Sequence, residues 1–330
     1  MDLKGKNILV TGACGFIGSH LVERLVELGA LVRAFVYYNA FNGWGWLDSL
    51  PEEKLEQFEV VTGDIRDFHC VKKAMDKVEV VFHLAALIGI PYSYIAPESY
   101  VDTNIKGTLN VLQAAREDGI AMVIHTSTSE VYGTAQYVPI DEKHPVQGQS
   151  PYSATKIAAD MLAESFQRSF DLPVAICRPF NTYGPRQSAR AIIPTIITQI
   201  IAKRPIVHLG NTDTTRDFNY VTDVAEGFIK IAESGNAIGE VINIGSGHEI
   251  SIAELFQKIS ELLGMNPKLE TDVSRVRPPS SEVERLCADN SKARDLLGWE
   301  PKVQLDEGLV RTAEWFSKNQ DKYKQGIYNI

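Results

Sequence analysis

Short apolar runs alternate with longer amphipathic stretches from the start of the chain up to residue 177. The apolar runs lie at residues 7–10, 31–36, 58–61, 78–84, 122–124 and 172–177. Runs of this length between polar turns are typical of buried strands, and the stretches between them have the apolar spacing of helices. Because strand and helix alternate, we predict an α/β fold with a doubly wound parallel sheet.

A glycine-rich turn joins the first predicted strand to the first predicted helix. Its sequence is Thr11-Gly12-Ala13-Cys14-Gly15-Phe16-Ile17-Gly18. Glycines let the backbone turn tightly and approach a pyrophosphate, whose negative charge is favoured at a helix N-terminus. The turn lies between a strand and a helix, as this motif requires, so we predict a Rossmann-type dinucleotide site. Its predicted contact residues are Gly12, Gly15, Phe16, Ile17 and Gly18.

The end of the second predicted strand bears on the choice of dinucleotide. A carboxylate at this point commonly binds the adenosine ribose of NAD, and an Arg accommodates the 2′-phosphate of NADP. The strand ends Val36-Tyr37-Tyr38-Asn39, which contains neither a carboxylate nor an Arg. Arg33 lies within the strand, and the alternation of side chains along it does not determine which way Arg33 points. We predict NAD, with NADP as the alternative. Asp64, after the third strand, is placed to accept from the adenine amino group.

The alternation of strands and helices changes after residue 178. Helices are predicted at residues 192–202 and 221–233, and a further strand at residues 241–244 is expected to return to the sheet. The dinucleotide-binding domain is therefore predicted to comprise residues 1–178 and about 217–246. A smaller, discontinuous substrate lobe would comprise residues of about 179–216 and 247–330. Its arginines lie among prolines and glycines, and guanidinium forks suit a diphosphate.

Composition narrows the range of partners. The chain has 330 residues, of which 44% are hydrophobic and 23% charged, as in ordinary globular proteins. A net charge of −9 argues against nucleic acid as a partner, because its binding proteins more often carry a basic stripe. The four cysteines are far apart without a CxxC pair, so no metal site is expected. No apolar run reaches 18 residues and no signal-peptide pattern occurs, which predicts a cytoplasmic protein without a membrane partner.

The candidate chemistry lies in Ser127-Thr128-Ser129-Glu130 and in the pair Tyr152 and Lys156. The first group follows the strand at residues 122–124, at the strand end where open α/β sheets bind ligands. Tyr152 and Lys156 are four residues apart in a helix predicted over residues 151–168, so they share a face. An ammonium beside a phenol favours phenolate and lowers a pKa of about 10, which would make Tyr152 a usable base.

Together these residues resemble those of extended short-chain dehydrogenase/reductases that act on nucleotide sugars. The matching residues run in order along nearly the whole chain: Thr11-Gly12 through Gly18, Asp64, His83-Leu84-Ala85-Ala86, Asn104 with Gly107-Thr108, Tyr152 with Lys156, Arg178-Pro179, Asn181 with Tyr183-Gly184-Pro185, Arg216-Asp217-Phe218 and Arg277-Pro278. The resemblance implies NAD as cofactor, a nucleotide-sugar substrate and a homodimer formed through helices at residues 104–115 and 154–170.

The resemblance also implies roles for individual residues. Catalytic roles are implied for Thr128, Ser129, Glu130, Tyr152 and Lys156. Beyond the glycine turn, cofactor contacts are implied for Asp64, Ile65, Leu84, Ala85, Ala86, Asn104, Tyr152 and Lys156. Substrate contacts are implied for Asn181, Arg190, Arg216 and Arg277.

Glu130 distinguishes 4,6-dehydratases from epimerases within this superfamily. Epimerases carry a small residue at its position, whereas Thr128-Ser129-Glu130 is similar to GDP-mannose 4,6-dehydratases. The segments at residues 44–47 and 181–190 resemble more closely the nucleotide-activated N-acetylglucosamine 4,6-dehydratases of bacterial legionaminic acid biosynthesis. Tyr37 departs from the Arg expected in that group. A 4-epimerase or 4-reductase, a 5,6-dehydratase that releases the alkene, and a non-catalytic cofactor-binding sensor or scaffold remain as alternatives.

Overall fold

The computed structural model describes residues 1–324, and its centre is a seven-stranded parallel sheet. The strands of the chain are β1 Asn7–Thr11, β2 Leu31–Tyr37, β3 Glu59–Gly63, β4 Val80–His83, β5 Met122–Thr126, β6 Val174–Pro179, β7 Asn181–Tyr183, β8 Ile206–Leu209, β9 Thr215–Tyr220, β10 Val241–Ile244, β11 Glu249–Ser251 and β12 Lys268–Thr271. The order in the main sheet is β10-β6-β5-β4-β1-β2-β3. Residues 241–244 therefore return to the sheet beside β6, which confirms the predicted α/β fold.

Twelve α-helices accompany the strands in residues 1–324. They are α1 Phe16–Glu27, α2 Glu52–Leu55, α3 Phe68–Ala74, α4 Ile90–Ile95, α5 Pro97–Tyr100, α6 Gly107–Asp118, α7 Pro151–Phe170, α8 Ile192–Ile201, α9 Val221–Glu233, α10 Ile252–Leu262, α11 Ser291–Leu297 and α12 Leu305–Lys318. No helix in this part of the chain has the length and apolarity needed to cross a membrane.

The two faces of the main sheet are buried in separate cores. Ile8 and Val10 of β1 belong to the core under α1, α9 and α11, whereas Leu9 belongs to the core under α3, α6 and α7. Successive strand residues point to opposite faces, so a strand covered on both sides needs a continuous apolar run. This explains why the strands of the main sheet were recognisable in the sequence.

Local sequence sets the start of the helix that carries Tyr152 and Lys156. Ser150 caps α7 by accepting from the Ser153 backbone N–H, and the Ser153 hydroxyl accepts from the Ser150 N–H in return. Pro151 occupies the first helical turn, where its missing N–H is not needed. The helix ends at Phe170, two residues beyond the predicted end. Asp160, in the middle of the helix, is a residue that the sequence analysis did not single out.

Two small sheets lie outside the main one. The first has the order β11-β9-β7, and the second pairs β12 with β8. A third apolar core contains residues of α8, α10 and α12 together with residues of both small sheets. Because β7 begins two residues after β6 ends, it carries the chain past the carboxyl edge of the main sheet. Residues of β7 and β9 are thereby brought to the strand ends where ligands bind in such folds.

Candidate active site

The glycine turn has the shape of a phosphate cradle. Gly12 has a φ of +70°, and a Cβ there would lie 2.7 Å from the backbone nitrogen of Ala85. A Cβ on Gly18 would overlap the carbonyl oxygen of Gly12. Gly15 caps α1 without a side chain that could compete for the first N–H groups of the helix. The first N–H groups of a helix favour an anion, so this geometry is compatible with the predicted phosphate site.

Substituting Ala for Gly18 is expected to weaken dinucleotide binding. The new methyl group displaces the Gly12 carbonyl and distorts the turn, and overpacking of this kind typically costs about 1–3 kcal/mol. We expect NAD affinity, measured by isothermal titration calorimetry, to fall about ten- to a hundredfold. Gly235→Ala is the control, because a Cβ at Gly235 meets open space. Equal NAD affinity in the two variants would contradict the predicted role of the turn.

The adenine end of the predicted cofactor site is formed by the ends of β2 and β3. Arg33 is turned away from it, since its guanidinium bonds Glu59 at 2.7 Å and the carbonyls of Ala74 and Asp76. Arg66 holds the Asp64 carboxylate at 2.5 Å, and these hydrogen bonds keep the pKa of Asp64 below its usual value. Asp64 therefore remains ionised, and both of its oxygens already accept from Arg66.

The aromatic insert after β2 serves mainly as an anchor. The Trp46 ring packs against Trp315 and Tyr323 at centroid distances of 6.2 and 5.7 Å. The Trp46 backbone N–H also bonds the carbonyl of Cys14 in the glycine turn. These contacts anchor the insert at Trp46, whereas the Phe41 side chain in the same insert is exposed.

The end of β4 packs against the glycine turn and against the helices behind it. The backbone N–H of Ala85 donates to the Thr11 hydroxyl at 3.2 Å. The side-chain amide of Asn104 bonds both backbone groups of Leu87 and the Thr155 hydroxyl. Asn104 lies in a π-helical turn at Val101–Lys106, a type of distortion that is frequent at functional sites. Its amide thus holds the loop after β4 against α7.

Thr128, Glu130 and Tyr152 come together at the end of β5. Thr128 caps the short 3₁₀ helix Ser129–Tyr132 and accepts from the backbone N–H of Glu130 at 3.2 Å. Burial raises the pKa of the Tyr152 phenol, a hydrogen bond with Thr128 opposes this rise, and the nearby charge of Glu130 adds to it. Ser129 is buried beside them, but no described contact links its hydroxyl to the other three.

Lys156 makes its hydrogen bond to the backbone rather than to Tyr152. Its ammonium donates to the Thr126 carbonyl at 2.5 Å, and the side chain is 4% exposed. Burial lowers the pKa of Lys156 to about 8, and the carboxylate of Asp160 opposes this effect. The sequence pattern places the two residues on one helix face, but the described contacts do not pair ammonium with phenol.

Arg216 and Arg277 converge on one carboxylate, Glu282. The ion-pair distances to the Glu282 Oε1 are 3.3 Å from Arg216 and 3.5 Å from Arg277. Burial lowers the pKa of Arg216, and the charges of Glu130 and Glu282 oppose this. Two guanidinium groups that share one carboxylate keep a net positive charge, which favours an anion beside them.

Asn181 faces the same side as Arg216. In the β7–β9 ladder Asn181 is paired with Phe218, and Arg216 precedes Phe218 by two residues, so all three share a face. The Oδ1 atom of Asn181 is buried and has no hydrogen-bond partner within residues 1–324. Buried polar atoms normally have partners, so this oxygen is a candidate ligand contact.

Arg190 lies on a different wall of the site. Its Nε donates to the Ser188 hydroxyl, and a Cβ on Gly89 would be 3.0 Å from its Nη1. Its charge also acts on Tyr100, whose ring lies 6.3 Å from that of Tyr152. Arg190 is therefore near the loop after β4 and the Tyr152 region, whereas Arg216 and Arg277 gather around Glu282.

Comparisons with known proteins identify the family of the chain. A sequence model of the family described as GDP-mannose 4,6 dehydratase matches residues 9–312. The chain belongs to the nucleotide-sugar 4,6-dehydratase and 4-epimerase family of extended short-chain dehydrogenase/reductases. This establishes it as a member of an enzyme family.

Relatives in this family catalyse both reactions. The dTDP-D-glucose 4,6-dehydratase of Mus musculus is 33% identical over 97% of this chain and 91% of its own length. The UDP-glucose 4-epimerase of Mycolicibacterium smegmatis is 35% identical over 93% of this chain and 97% of its own length. Sequence similarity therefore does not choose between dehydratase and epimerase.

A solved structure of a family member contains the cofactor. The dTDP-glucose 4,6-dehydratase DesIV of Streptomyces venezuelae, determined as a double mutant with NAD bound, has a TM-score of 0.88 to this chain. It is 28% identical, and the similarity covers 96% of this chain and 98% of DesIV. The similarity therefore extends over both the main sheet and the smaller sheets.

Two residues that the sequence analysis missed are central to the site of this family member. Glu282 offsets part of the charge of Arg216 and Arg277, and Asp160 lies one helical turn beyond Lys156. The four-residue spacing from Tyr152 through Lys156 to Asp160 was a usable signal for Asp160. No spacing pattern points to Glu282, because its contact with Arg216 joins positions 66 residues apart.

Proposed function

We propose that the protein is an NAD-dependent nucleotide-sugar 4,6-dehydratase. The observation that carries the proposal is the position of Glu130, whose carboxylate lies near both Tyr152 and Arg216. Oxidation at C4 of a sugar needs one base, which an epimerase already has. Elimination across C5 and C6 needs a second base, and Glu130 supplies it.

The first step is removal of the proton from the sugar 4-hydroxyl. Tyr152 accepts this proton, and Thr128, which hydrogen-bonds the phenol, orients the same hydroxyl. Burial opposes ionisation of Tyr152, so the step depends on positive charge near the phenol. We assign that charge to Lys156, which shares the helix face of Tyr152 by its four-residue spacing. When bound, NAD supplies the chemistry that these side chains lack, because its nicotinamide takes up a hydride and returns it.

The second step uses the acidity of C5 next to the 4-ketone. Glu130 removes the C5 proton and passes it to the departing C6 hydroxyl, which leaves as water. Ser129 is neutral and serves at most to orient that hydroxyl. Return of the hydride to C6 and addition of a solvent proton at C5 would give a 4-keto-6-deoxy sugar, and Tyr152 would release the proton of the 4-hydroxyl to solvent. The net change is the loss of one water, and the oxidation state of the cofactor is restored.

The described residues fit NAD. The cradle formed by Gly12, Gly15 and Gly18 admits a pyrophosphate, and Asp64 is ionised at the adenine end. Residues 37–39 at the end of β2 include no cation for a 2′-phosphate, and Arg33 is directed elsewhere. We therefore propose NAD over NADP.

A cation at the end of β2 is expected to shift this preference. In Tyr37→Arg, the new guanidinium would meet the 2′-phosphate, a charged hydrogen bond worth about 1.5–3 kcal/mol. We expect NADP affinity, measured by calorimetry, to rise about ten- to a hundredfold. Leu31→Arg is the matched control, because it adds the same charge at the opposite end of the same strand. A similar gain in both variants would show a general charge effect instead.

The substrate proposal combines the arginines with the sequence resemblance. Arg216, Arg277 and Asn181 would hold the diphosphate, with Glu282 giving way, and Arg190 would lie nearer the sugar. The resemblance to N-acetylglucosamine 4,6-dehydratases leads us to propose UDP- or GDP-N-acetylglucosamine as the substrate. The product would then feed legionaminic acid biosynthesis.

Product mass and NMR test the proposed function. The protein is incubated with NAD and, separately, UDP-N-acetylglucosamine, GDP-N-acetylglucosamine, UDP-glucose, dTDP-glucose and GDP-mannose. A 4,6-dehydratase lowers the sugar mass by one water and produces a methyl signal beside a 4-ketone. A 4-epimerase leaves the mass unchanged, and a 5,6-dehydratase gives an alkene signal without the methyl group. No turnover of any substrate would favour the sensor or scaffold alternative.

We further propose a homodimer formed through α6 and α7. Leu109 of α6 and Met161 of α7 are exposed apolar side chains on helices that pack side by side. Light scattering after gel filtration should give twice the mass of one chain. Leu109→Lys combined with Met161→Lys should give the monomer, and an unchanged mass would place the interface elsewhere.

A further inference from the structure

A buried network ties α7 to the ends of β5 and β6. Asp160 is fully buried, and its Oδ2 accepts from the Ser127 hydroxyl at 2.6 Å and from the Arg178 Nη2 at 3.0 Å. Its Oδ1 lies 3.2 Å from the His125 Nε2. The reaction proposed above uses none of these contacts directly.

The network surrounds the hydrogen bond of Lys156. His125 and Ser127 are the neighbours of Thr126, and the Thr126 carbonyl is the acceptor for the Lys156 ammonium. Asp160 therefore holds β5 on both sides of that carbonyl. It also follows Lys156 by four residues in α7, so its charge and the ammonium lie on the same helix face.

We propose that Asp160 is a positioning residue that keeps Lys156 protonated and directed at the Thr126 carbonyl. Arg178 offsets part of the charge of Asp160. The Asp160–Arg178 pair therefore sets how strongly the protonated form of Lys156 is favoured over the neutral amine. The inference rests on the proposed role of Lys156 beside Tyr152. It adds that the charge of Lys156 depends on a carboxylate that does not contact the substrate.

The groups around Lys156 support this assignment. Asp160 acts on it from α7, His83 from β4 and His125 from β5, and Arg178 lies beyond Asp160 on β6. Tyr152 shares the helix face of Lys156 by the four-residue spacing. Burial lowers the pKa of both histidines, so they are mainly neutral near pH 7. Burial also lowers the pKa of Lys156 to about 8, and Asp160 is the charge that opposes the decrease.

Competitive acetylation measures the protonation of Lys156 without any substrate. The cofactor-free protein is treated briefly with acetic anhydride over a range of pH, and the Lys156 peptide is quantified by mass spectrometry. We expect a midpoint near pH 8 in the wild type. In Asp160→Asn the midpoint should fall by at least about one pH unit, a tenfold change, because a nearby opposite charge is lost.

Three further variants supply one shift of the opposite sign and two controls. Arg178→Gln removes a positive charge and leaves Asp160 uncompensated, so the midpoint should rise. Ser127→Ala removes one hydrogen bond to Asp160 but no charge, so thermal stability should decrease while the midpoint stays in place. Asp160→Glu retains the charge and should keep the midpoint near that of the wild type.

Unchanged midpoints in Asp160→Asn and Arg178→Gln would overturn the inference and leave Asp160 as a purely structural residue. If Asp160→Asn does not fold, as judged by circular dichroism, the rise in Arg178→Gln decides alone. A fall of the midpoint in that variant would also contradict the proposal.

The alkaline limb of the pH–rate profile for C4 oxidation of UDP-N-acetylglucosamine should follow the same midpoints. Labelling shifts without turnover would support the inference while contradicting the proposed function.

Discussion

Replacing Glu130 by Gln is expected to abolish the loss of water while sparing oxidation at C4. The amide keeps the shape of the side chain but cannot accept the C5 proton, and general acid–base assistance is typically worth about 10²–10⁴-fold. Incubation in D₂O separates the two steps. The wild type should incorporate deuterium at C5. The variant should show the absorbance band of the reduced form of nicotinamide, but no deuterium at C5. Product formation should fall by about 10²–10⁴-fold.

Glu226→Gln is the control for this experiment. Glu226 pairs with Arg24 on the surface, so its substitution should leave both steps unchanged. Undiminished deuterium exchange in Glu130→Gln would remove Glu130 from the role of base at C5. Loss of the C4 step as well would show that Glu130 mainly holds Arg216 or Tyr152 in place, since its charge acts on both.

Replacing Tyr152 by Phe is expected to stop the reaction one step earlier. The ring is buried against Ile90 and Tyr100, so Phe preserves the packing and removes only the hydroxyl. Without that hydroxyl the 4-OH proton has no acceptor, and the initial rate of nicotinamide reduction should fall by about 10²–10⁴-fold. NAD affinity should change little, which calorimetry would verify.

Tyr137→Phe is the matched control for Tyr152→Phe. The Tyr137 ring is exposed, and its hydroxyl bonds Asp141 instead of any residue assigned to the site. The control should therefore reduce nicotinamide at the wild-type rate. Unimpaired reduction in Tyr152→Phe would mean that another group accepts the 4-OH proton. Thr128 and Glu130 are the neighbours of Tyr152 that could accept this proton instead.

The main sheet and the cofactor turn were predictable because their causes are local. The run Ile8-Leu9-Val10 is apolar at every position since β1 is covered on both faces. The glycines at positions 12 and 18 are required by backbone contacts within the turn itself or with the end of β4. Likewise, Tyr152 and Lys156 share a face because helical geometry fixes a four-residue spacing.

The electrostatics of the site were decided only by the tertiary structure. Arg216 meets Glu282, Arg178 meets Asp160, and the Lys156 ammonium meets the Thr126 carbonyl. In each case the partners come from different elements, so their contact depends on strand order and on how the helices pack. Arg33 is a further example. The alternation of residues along β2 does not determine where its side chain points, and only the folded structure shows that it bonds Glu59 and the Ala74 carbonyl.

Sequence by itself therefore determined the fold class, the dinucleotide turn and the residues Thr128, Glu130, Tyr152 and Lys156 as candidates. Tertiary structure decided which of these lie together and which charges surround them. The physical reason is that periodicity and turn chemistry act over a few neighbouring residues. The charge state of a buried group instead depends on burial and on partners that folding brings from distant parts of the chain.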